Sequence, residues 1–176
     1  MRIGLDLDDT ICSTNKVIKK YEDKYCTEKK INSTVLWSNQ ESKNDFLNTY
    51  LETIYMEARI KNNSKKIINE LKKGNNKIFI ITARTNKYIK QNMEELIKKY
   101  LKKKKIEVDK IIINSKDKVT MCKELKIDIM LEDNLYNYEA LSKENINVVL
   151  FDELKQHQNI NNRINNWSEF TKFINC

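Results

Sequence analysis

Three carboxylates stand close together near the start of the chain, directly after a short apolar run. That run is residues 2–5, and the acids are Asp6, Asp8 and Asp9. Packing alone gives no reason for this arrangement, because like charges repel at short range and each charge is costly to desolvate. Asp6 and Asp8 point to the same side of an extended chain, and oxygen ligands favour a hard cation such as Mg²⁺. The alternative is an acidic turn in which Asp9 or Thr10 caps the next helix.

Further polar side chains follow other apolar runs in the sequence. Thr82 ends one such run, and Glu132 and Asp133 follow another. Lys118 opens a predicted helix between them. Ligands of parallel α/β folds collect where the strands end, so we expect these side chains at one edge of a sheet. Each has a structural alternative, since Thr82 could cap a helix and Asp133 could cap the turn that follows it. Lys116 competes with Lys118 for the same position.

The elements that would position these side chains alternate between strands and helices. Apolar runs predict strands at residues 2–7, 77–82, 110–114, 127–131 and 146–151. Helical periodicity predicts helices at residues 88–104, 119–125 and 138–144, and a helical tail through Trp167, Phe170 and Phe173. This alternation predicts a doubly wound three-layer α/β/α fold with a mainly parallel five-stranded sheet.

The segment between the first two predicted strands shows helical spacing and no strand signal. Its last helix is expected to end near Gly74, a residue type common at helix C-termini. We predict that residues 13–74 form a small helical cap inserted after the first strand, and that its last helix rejoins the core. The core of the fold would then comprise residues 1–12 and 75–176.

The net charge of +8 over 176 residues invites a nucleic-acid interpretation. Lysine greatly outnumbers arginine, while asparagine and isoleucine are abundant and proline is absent. This pattern is typical of a biased coding background in which lysine is the default surface charge. The lysine run at residues 102–105 is then the solvated end of a helix, with a polyanion contact as the alternative. We therefore do not expect nucleic acid as a partner.

Several other classes of protein are disfavoured by the sequence. No stretch of about 18 apolar residues predicts a membrane span, and the N-terminus lacks a signal-peptide pattern. The cysteines form no CxxC pair, which disfavours zinc sites and disulfide frameworks and fits reduced thiols in a cytoplasmic protein. They are Cys12, Cys26, Cys122 and Cys176. His157 is the only histidine, so histidine-based catalysis is a poor hypothesis.

The motifs and their order resemble those of a known family, the haloacid dehalogenase superfamily. They are DLDDT at residues 6–10, Thr82, Lys118 and the pair Glu132-Asp133. Residues 80–84 and 122–133 also resemble the bacterial branch related to the 5'(3')-deoxyribonucleotidases. The helical insertion lies where that branch carries its cap. The resemblance implies a Mg²⁺-dependent phosphatase.

Phosphate-ester chemistry and the resemblance imply roles for the acidic residues. Asp6 would bind Mg²⁺ with one oxygen and attack phosphorus with the other, forming an aspartyl-phosphate. Asp8 would protonate the leaving alcohol and later deprotonate water, a role that needs neighbours that raise its pKa. The resemblance implies that the backbone carbonyl of Asp8 and the carboxylate of Asp133 are further metal ligands. Glu132 would support a ligand or hold a water molecule.

Other residues are implied to contact the substrate. Thr82 would donate a hydrogen bond to a phosphoryl oxygen, and Lys118 would offset charge in the transition state. Arg84 could reach the substrate phosphate or a carboxylate of the cap, and both interpretations stay open. Trp37 and Tyr55 could stack on a base, or they could be core residues of the helical unit.

Asp9 departs from the family pattern, because many members of the superfamily carry glycine at this position. The DxDxT form occurs among phosphatases, so the enzyme class is unaffected. The extra carboxylate adds negative charge near the predicted metal site and could alter the affinity for the cation.

The predicted function is a Mg²⁺-dependent 5'-nucleotidase that acts on nucleoside monophosphates, deoxy forms included. One alternative is a phosphatase for another small phosphoester or for the 3'-phosphate of a nucleic-acid end. Another is a binding module that kept the fold and lost turnover. A small cap that closes over the site favours mononucleotide-sized substrates. The sequence specifies neither the base, the sugar nor the oligomeric state.

Overall fold

A computed structural model describes residues 1–174, in which a central six-stranded sheet carries most of the core. The strands are β1 (Arg2–Leu5), β2 (Cys12–Ser13), β3 (Arg59–Ile60), β4 (Lys77–Ile81), β5 (Lys110–Ile112), β6 (Ile129–Glu132), β7 (Val148–Phe151) and β8 (Arg163–Ile164). The large sheet has the order β5-β4-β1-β6-β7-β8, and each neighbouring pair in it is parallel. β2 and β3 form a separate antiparallel pair.

Helices cover both faces of this sheet. They are α1 (Thr14–Lys29), α2 (Ser33–Ser38), α3 (Gln40–Glu57), α4 (Ser64–Lys73), α5 (Met93–Lys104), α6 (Lys118–Glu124), α7 (Leu135–Lys143) and a 3₁₀ helix, Trp167–Phe173. Apolar residues of α4, α5 and the 3₁₀ helix pack on one face. Those of α6 and α7 pack on the other. The prediction of a doubly wound α/β/α fold is therefore confirmed.

The strand count was predicted incorrectly. A sixth strand, β8, pairs with β7 through two residues, too few to give a periodic signal in the sequence. The segment predicted to lack strands holds β2 and β3, which pair across a long insertion. Each is again two residues long, so neither could be recognised from local pattern.

The start of α5 was also predicted incorrectly, at residue 88 rather than Met93. The Asn92 side chain accepts hydrogen bonds from the backbone N–H groups of Glu94 and Glu95, which caps the helix there. Tyr88 has a left-handed backbone with φ of 65°, which is incompatible with a continuous helix. Residues between Thr82 and this helix are therefore free to form a loop at the sheet edge.

β1 is the central strand and is buried on both faces. Gly4 lies against Met130 of β6 so closely that a Cβ at this position would be 2.7 Å from the methionine sulfur. β1 is flanked by β4 on one side and β6 on the other. After β1 the chain adds β4 and β5 on one side, and it then crosses back to add β6, β7 and β8 on the other side, so the strand order reverses at β1. A crevice opens at such a reversal of strand order, at the carboxyl ends of the strands.

Helices α1, α2 and α3 share a small aromatic core of their own. Phe46 packs edge-to-face against Tyr25 and Trp37, with ring centroids 5.5 and 5.6 Å apart. The apolar residues of α4 instead join the core under the large sheet. Aromatic edge-to-face pairs add specific geometry to area burial, so this three-helix unit has a defined packing.

Two sequence expectations bear on the environment of the chain. No helix within residues 1–174 is long and apolar enough to cross a membrane. Cys12, Cys26 and Cys122 are free thiols, and the first and last of these are buried. Cys176, the fourth cysteine of the sequence, lies outside the described residues.

Candidate functional site

The predicted site residues gather at the carboxyl edge of the three central strands. Asp6 directly follows β1, and its backbone N–H donates to the carbonyl of Leu131 in β6. Thr82 directly follows β4 and donates its backbone N–H to Ile112 of β5. Parallel register therefore holds three neighbouring strand ends at one level.

Lys118 bridges two carboxylates in the interior of this edge. Its Nζ donates to Asp6 Oδ1 and to Glu132 Oε2, each at 2.5 Å. All three side chains are buried, and Glu132 has no exposed surface. Burial alone would lower the pKa of Lys118, but the charges of Asp6 and Glu132 raise it above its usual range. Lys116, the competing lysine of the sequence, is exposed.

Glu132 is held on its second oxygen as well. Its Oε1 accepts hydrogen bonds from the backbone N–H of Asn134 at 3.1 Å and from Nδ2 of Asn137 at 3.2 Å. Both oxygens of this carboxylate are therefore occupied by protein donors. Its function in this geometry is to hold Lys118 in place beside Asp6.

Three carboxylates in this region lie close enough to share one cation. Oxygens of Asp6, Glu132 and Asp133 all lie within 4.8 Å of one another. Asp133 accepts one hydrogen bond on Oδ1, from the Thr10 hydroxyl at 3.0 Å. Lys118 supplies the single positive charge that contacts this group through hydrogen bonds in the described chain. The cluster carries more negative than positive charge.

The pKa values of Asp6 and Asp133 reflect this excess of negative charge. Burial raises the pKa of Asp6 well above its usual value, and repulsion from Glu132 and Asp133 opposes the effect of Lys118. Burial, followed by the charge of Glu132, raises the pKa of Asp133 from 3.8 to about 6. Carboxylate oxygens are the ligands that a hard divalent cation such as Mg²⁺ prefers. A bound cation would stabilise the ionised form of these two carboxylates against burial and repulsion. The residues present therefore fit such an ion.

Asp8 lies in a different environment from Asp6. Arg84 forms a two-pronged ion pair with it, from Nη2 to Oδ1 at 2.7 Å and from Nε to Oδ2 at 3.0 Å. The Thr14 hydroxyl donates to Asp8 Oδ1 at 2.5 Å. Burial alone would raise the pKa of Asp8, but Arg84 and Thr14 outweigh it, and the pKa falls below its usual range. The expectation that neighbours raise this pKa is not met here.

Arg84 joins this acid to the helical unit. Its side chain is 1% exposed, and its guanidinium lies 3.6 Å from the ring centre of Tyr55 in α3. Thr14, which contacts the same carboxylate, is the first residue of α1. The Nη1 atom of Arg84 is buried and has no hydrogen-bond partner among residues 1–174. Arg84 thus contacts Asp8, and reaching a substrate phosphate would require it to move.

Thr82 is buried at the end of β4 and does not cap a helix. Its Oγ1 accepts a hydrogen bond from the backbone N–H of Arg84 at 3.3 Å, which leaves the hydroxyl proton available to a further acceptor. Its carbonyl accepts the backbone N–H of Ser115 at 3.0 Å. The Ser115 hydroxyl is buried and unpartnered.

Asp9 contacts the start of the next helix, which was the structural alternative that the sequence offered for this acidic turn. Its backbone is left-handed, with φ of 54°, a conformation that glycine adopts freely and aspartate tolerates better than most residues. Its side chain accepts the backbone N–H of Asn15 at 3.2 Å, at the start of α1. The carboxylate therefore stabilises the entrance to the helical unit.

Several contacts of the site could not be recognised from motifs. Thr14 and Tyr55 complete the surroundings of Asp8 and Arg84, and both come from the helical insertion. Trp37 packs on Phe46 and donates its indole N–H to Glu22, so it belongs to the core of that insertion. Spacing near a motif carries no information about such long-range partners.

Comparison with curated proteins identifies sequence relatives. Over 133 residues the chain is 32% identical to a nucleotidase of Clostridium acetobutylicum, and the match covers 73% of this chain and 66% of the relative, just under two thirds of its length. The protein YqfW of Bacillus subtilis is 25% identical, with 99% of this chain and 94% of that protein covered. No protein-family model matches the chain.

Comparison with solved structures identifies the same fold. A predicted phosphatase from Clostridium acetobutylicum superposes with a TM-score of 0.73 at 15% identity, covering 98% of this chain and 97% of that chain. The haloacid dehalogenase-like hydrolase SP0104 from Streptococcus pneumoniae gives a TM-score of 0.65 at 14% identity, covering 85% of this chain and 83% of that chain. The magnesium-bound protein YfnB from Bacillus subtilis gives 0.69 at 11% identity, covering 99% and 98%. At these identities the likeness concerns the fold.

Proposed function

We propose that the chain is a hydrolase of phosphoric monoesters of the haloacid dehalogenase superfamily, and more narrowly a Mg²⁺-dependent nucleotidase with Asp6 as its nucleophile; its relatives and its fold support this. The observation that carries the proposal is the cluster of buried Asp6, buried Glu132 and half-buried Asp133 with a single lysine, Lys118, among the described residues. A nucleotidase is the named activity of one relative, and we extend it to this chain.

The cation would be held by carboxylate oxygens of Asp6 and Asp133 and by the backbone carbonyl of Asp8. When bound, it would neutralise the repulsion between a phosphate dianion and the attacking carboxylate. Asp133 keeps an oxygen without a protein hydrogen bond, which suits this role. Glu132 is outside the ligand set, because its oxygens are taken by Lys118, Asn134 and Asn137.

In the first step an oxygen of Asp6 attacks phosphorus, and the bond between phosphorus and the leaving oxygen breaks. Asp8 donates the proton that the leaving alcohol needs. In the second step water attacks the aspartyl-phosphate, Asp8 accepts its proton, and the Asp6 carboxylate is regenerated. Thr82 donates its free hydroxyl proton to a phosphoryl oxygen, and Lys118 offsets negative charge during both steps.

Asp8 begins the cycle in the wrong protonation state for the first step. Its pKa is lowered below the usual range because Arg84 and Thr14 outweigh the effect of burial, so it is ionised and ready to act as a base. Protonation of an alcohol requires that Arg84 shift away from Asp8. Esters with acidic leaving groups, such as p-nitrophenyl phosphate, need no such proton and should react faster than nucleotides.

The helical insertion at residues 13–74 is proposed to act as a cap over the site. Support comes from the separate aromatic core of α1–α3 and from the contacts of Thr14 and Tyr55 with the Asp8–Arg84 pair. A cap of this kind favours a mononucleotide over a polymer. The alternative of a nucleic-acid 3'-phosphate end has no specific observation in its favour.

The test is phosphate release from nucleoside monophosphates, sugar phosphates and 3'-phosphorylated oligonucleotides, each with Mg²⁺ and with EDTA. We expect release from the mononucleotides with Mg²⁺ alone. Asp6→Asn should lower the rate by about 10⁴-fold or more while the circular dichroism spectrum is unchanged. Lys103→Gln, which removes an exposed charge on α5, is the matched control. Activity that survives both EDTA and Asp6→Asn would contradict the mechanism.

A further inference from the structure

A cleft runs from the acidic site toward a basic end, and no role has yet been assigned to it. Its inner part is a cavity of about 360 Å³ that Asp9 and Asp133 line. Its outer part is a cavity of about 550 Å³ that Lys20 and Arg59 line. The two parts share Ser13, Lys16, Lys61 and Glu153 as lining residues, so they are continuous.

Lys61 lies at the junction of the two cavities, and it is buried although it lines a cleft. It is 8% exposed, and its backbone N–H donates to Ile11 in the loop that follows the catalytic acids. Its Nζ lies 5.7 Å from the ring centre of Phe151. Desolvation of a lysine is costly unless an anion compensates it, so this position requires a negative partner.

The partner in the structure is Glu153, from the loop after β7. Its Oε2 accepts from Lys61 Nζ at 2.5 Å, across the junction of the cavities. The Glu153 side chain is 49% exposed, so water can solvate it once it leaves the lysine. An exposed carboxylate on a buried ammonium is a partner that an incoming anion can replace at low cost.

Two further cations line the cleft without a partner of their own. Lys16 in α1 lines both cavities and Arg59 in β3 lines the outer one. Neither side chain has a hydrogen bond or ion pair within residues 1–174. The inner end of the cleft is acidic, where the cation and the reacting phosphate would lie, and the outer end carries unmatched positive charge.

We propose that this cleft is a subsite for a second anionic group on the leaving part of the substrate, held by Lys61, Lys16 and Arg59 in place of Glu153. The inference rests on the proposed function and narrows its substrate class to phosphomonoesters with two anionic groups. A second phosphate and a carboxylate share this chemistry, and a nucleoside 3',5'-bisphosphate is one such substrate.

The test compares matched substrates that differ by one anion. Deoxyadenosine 3',5'-bisphosphate is compared with the 5'-monophosphate, and 3-phosphoglycerate with glycerol 3-phosphate, in kcat/KM for phosphate release. We expect the kcat/KM ratio to be about ten or more in at least one pair. The doubly anionic substrate makes charge-assisted contacts in the cleft that its matched partner lacks. The pair that shows the preference identifies the anion as phosphate or carboxylate.

Substitutions in the cleft should change this kcat/KM ratio in opposite directions, depending on the charge that they remove. Glu153→Gln should raise the ratio about threefold, because it removes the internal competitor for Lys61. The double variant Lys16→Gln, Arg59→Gln should lower the ratio to within about twofold of one. Lys103→Gln, far along α5, should leave the ratio unchanged. A merely structural role of the Lys61–Glu153 pair would not raise the ratio in Glu153→Gln.

Calorimetric binding of the same pairs to the Asp6→Asn protein separates this inference from the proposed function. Tighter binding of the doubly anionic member supports the subsite even if no substrate is turned over. Equal affinities together with a kcat/KM ratio near one in both pairs would overturn the subsite, while phosphate release from the monophosphate would leave the nucleotidase proposal standing. An unchanged ratio in Glu153→Gln would also overturn it.

Discussion

Two clusters of charge, each with at least one buried member, begin two residues apart in the chain, and their charges are balanced differently. Around Asp6, three carboxylates have one lysine between them. Around Asp8, one carboxylate has one arginine and a hydroxyl. The pKa of Asp6 is accordingly raised by burial and repulsion, whereas the pKa of Asp8 is lowered because Arg84 outweighs burial. The first cluster has more carboxylates than basic groups and could accept a further cation, whereas in the second one carboxylate is paired with one arginine.

The largest expected effect comes from removing the lysine of the first cluster. Lys118→Met leaves Asp6 and Glu132 buried without a counter-charge, so we expect the free energy of unfolding to fall by about 3–5 kcal/mol. Urea unfolding with EDTA present measures this change. The control is Lys98→Met, whose ion pairs with Glu94 and Glu95 are exposed, and which should cost less than about 1 kcal/mol. If Lys118→Met lowered the free energy of unfolding no more than Lys98→Met does, Lys118 would not be compensating buried charge on Asp6 and Glu132.

A smaller effect is expected from adding the proposed cation. At 100 times its dissociation constant, Mg²⁺ should stabilise the protein by about 2.7 kcal/mol, because it binds the folded state alone. Differential scanning calorimetry in Mg²⁺ and in EDTA measures this difference. Asp133→Asn should remove most of it. Arg84→Lys alters the self-balanced cluster and should keep it. Equal responses of the two variants would show that the clusters do not differ in their need for a cation.

The smallest expected effect is a pH dependence confined to the metal-free protein. The pKa of Asp133 is raised by burial and by Glu132 from 3.8 to about 6, so the folded state holds this proton more tightly than the unfolded state does. The stability that this proton confers is complete below about pH 4 and is lost as pH rises through about 6.

Unfolding in EDTA from pH 4 to pH 7 measures that loss, which we expect to be about 1–2 kcal/mol. Asp133→Asn removes one of the two carboxyls whose pKa is raised, so it should reduce this loss, and Asp6 should account for what remains. Mg²⁺ should reduce the loss in the unmodified protein as well, because a bound cation favours the ionised carboxylate. A metal-free protein that became more stable across this interval would contradict the sign of the shift.

Local features of the site were predictable because each depends on a few consecutive residues. Asp6, Thr82 and Asp133 each follow an apolar run, and parallel strands bring their carboxyl ends to one edge. The α/β/α layers followed from this pattern and are confirmed. Elements of two residues, such as β8, were missed because so short a segment has no period.

The partners of the charged residues were not predictable in the same way. Arg84 was expected on the substrate phosphate or on a carboxylate of the cap, and its pairing with Asp8 was not foreseen. Glu132 was given a supporting role without a partner, and its partner is Lys118. The residues that complete the Asp8 environment, Thr14 and Tyr55, come from an insertion whose sequence carries no motif.

The sequence by itself determined the layer architecture and the types of group available at the sheet edge. The tertiary structure decided which charge meets which. Lys118 reaches Asp6 across 112 residues of chain, and Arg84 reaches Asp8 across 76. Such pairings depend on how helices and loops pack on the sheet, and packing is a property of the whole core rather than of local spacing. The same packing makes Asp6 share one lysine with Glu132, whereas Asp8 has an arginine of its own.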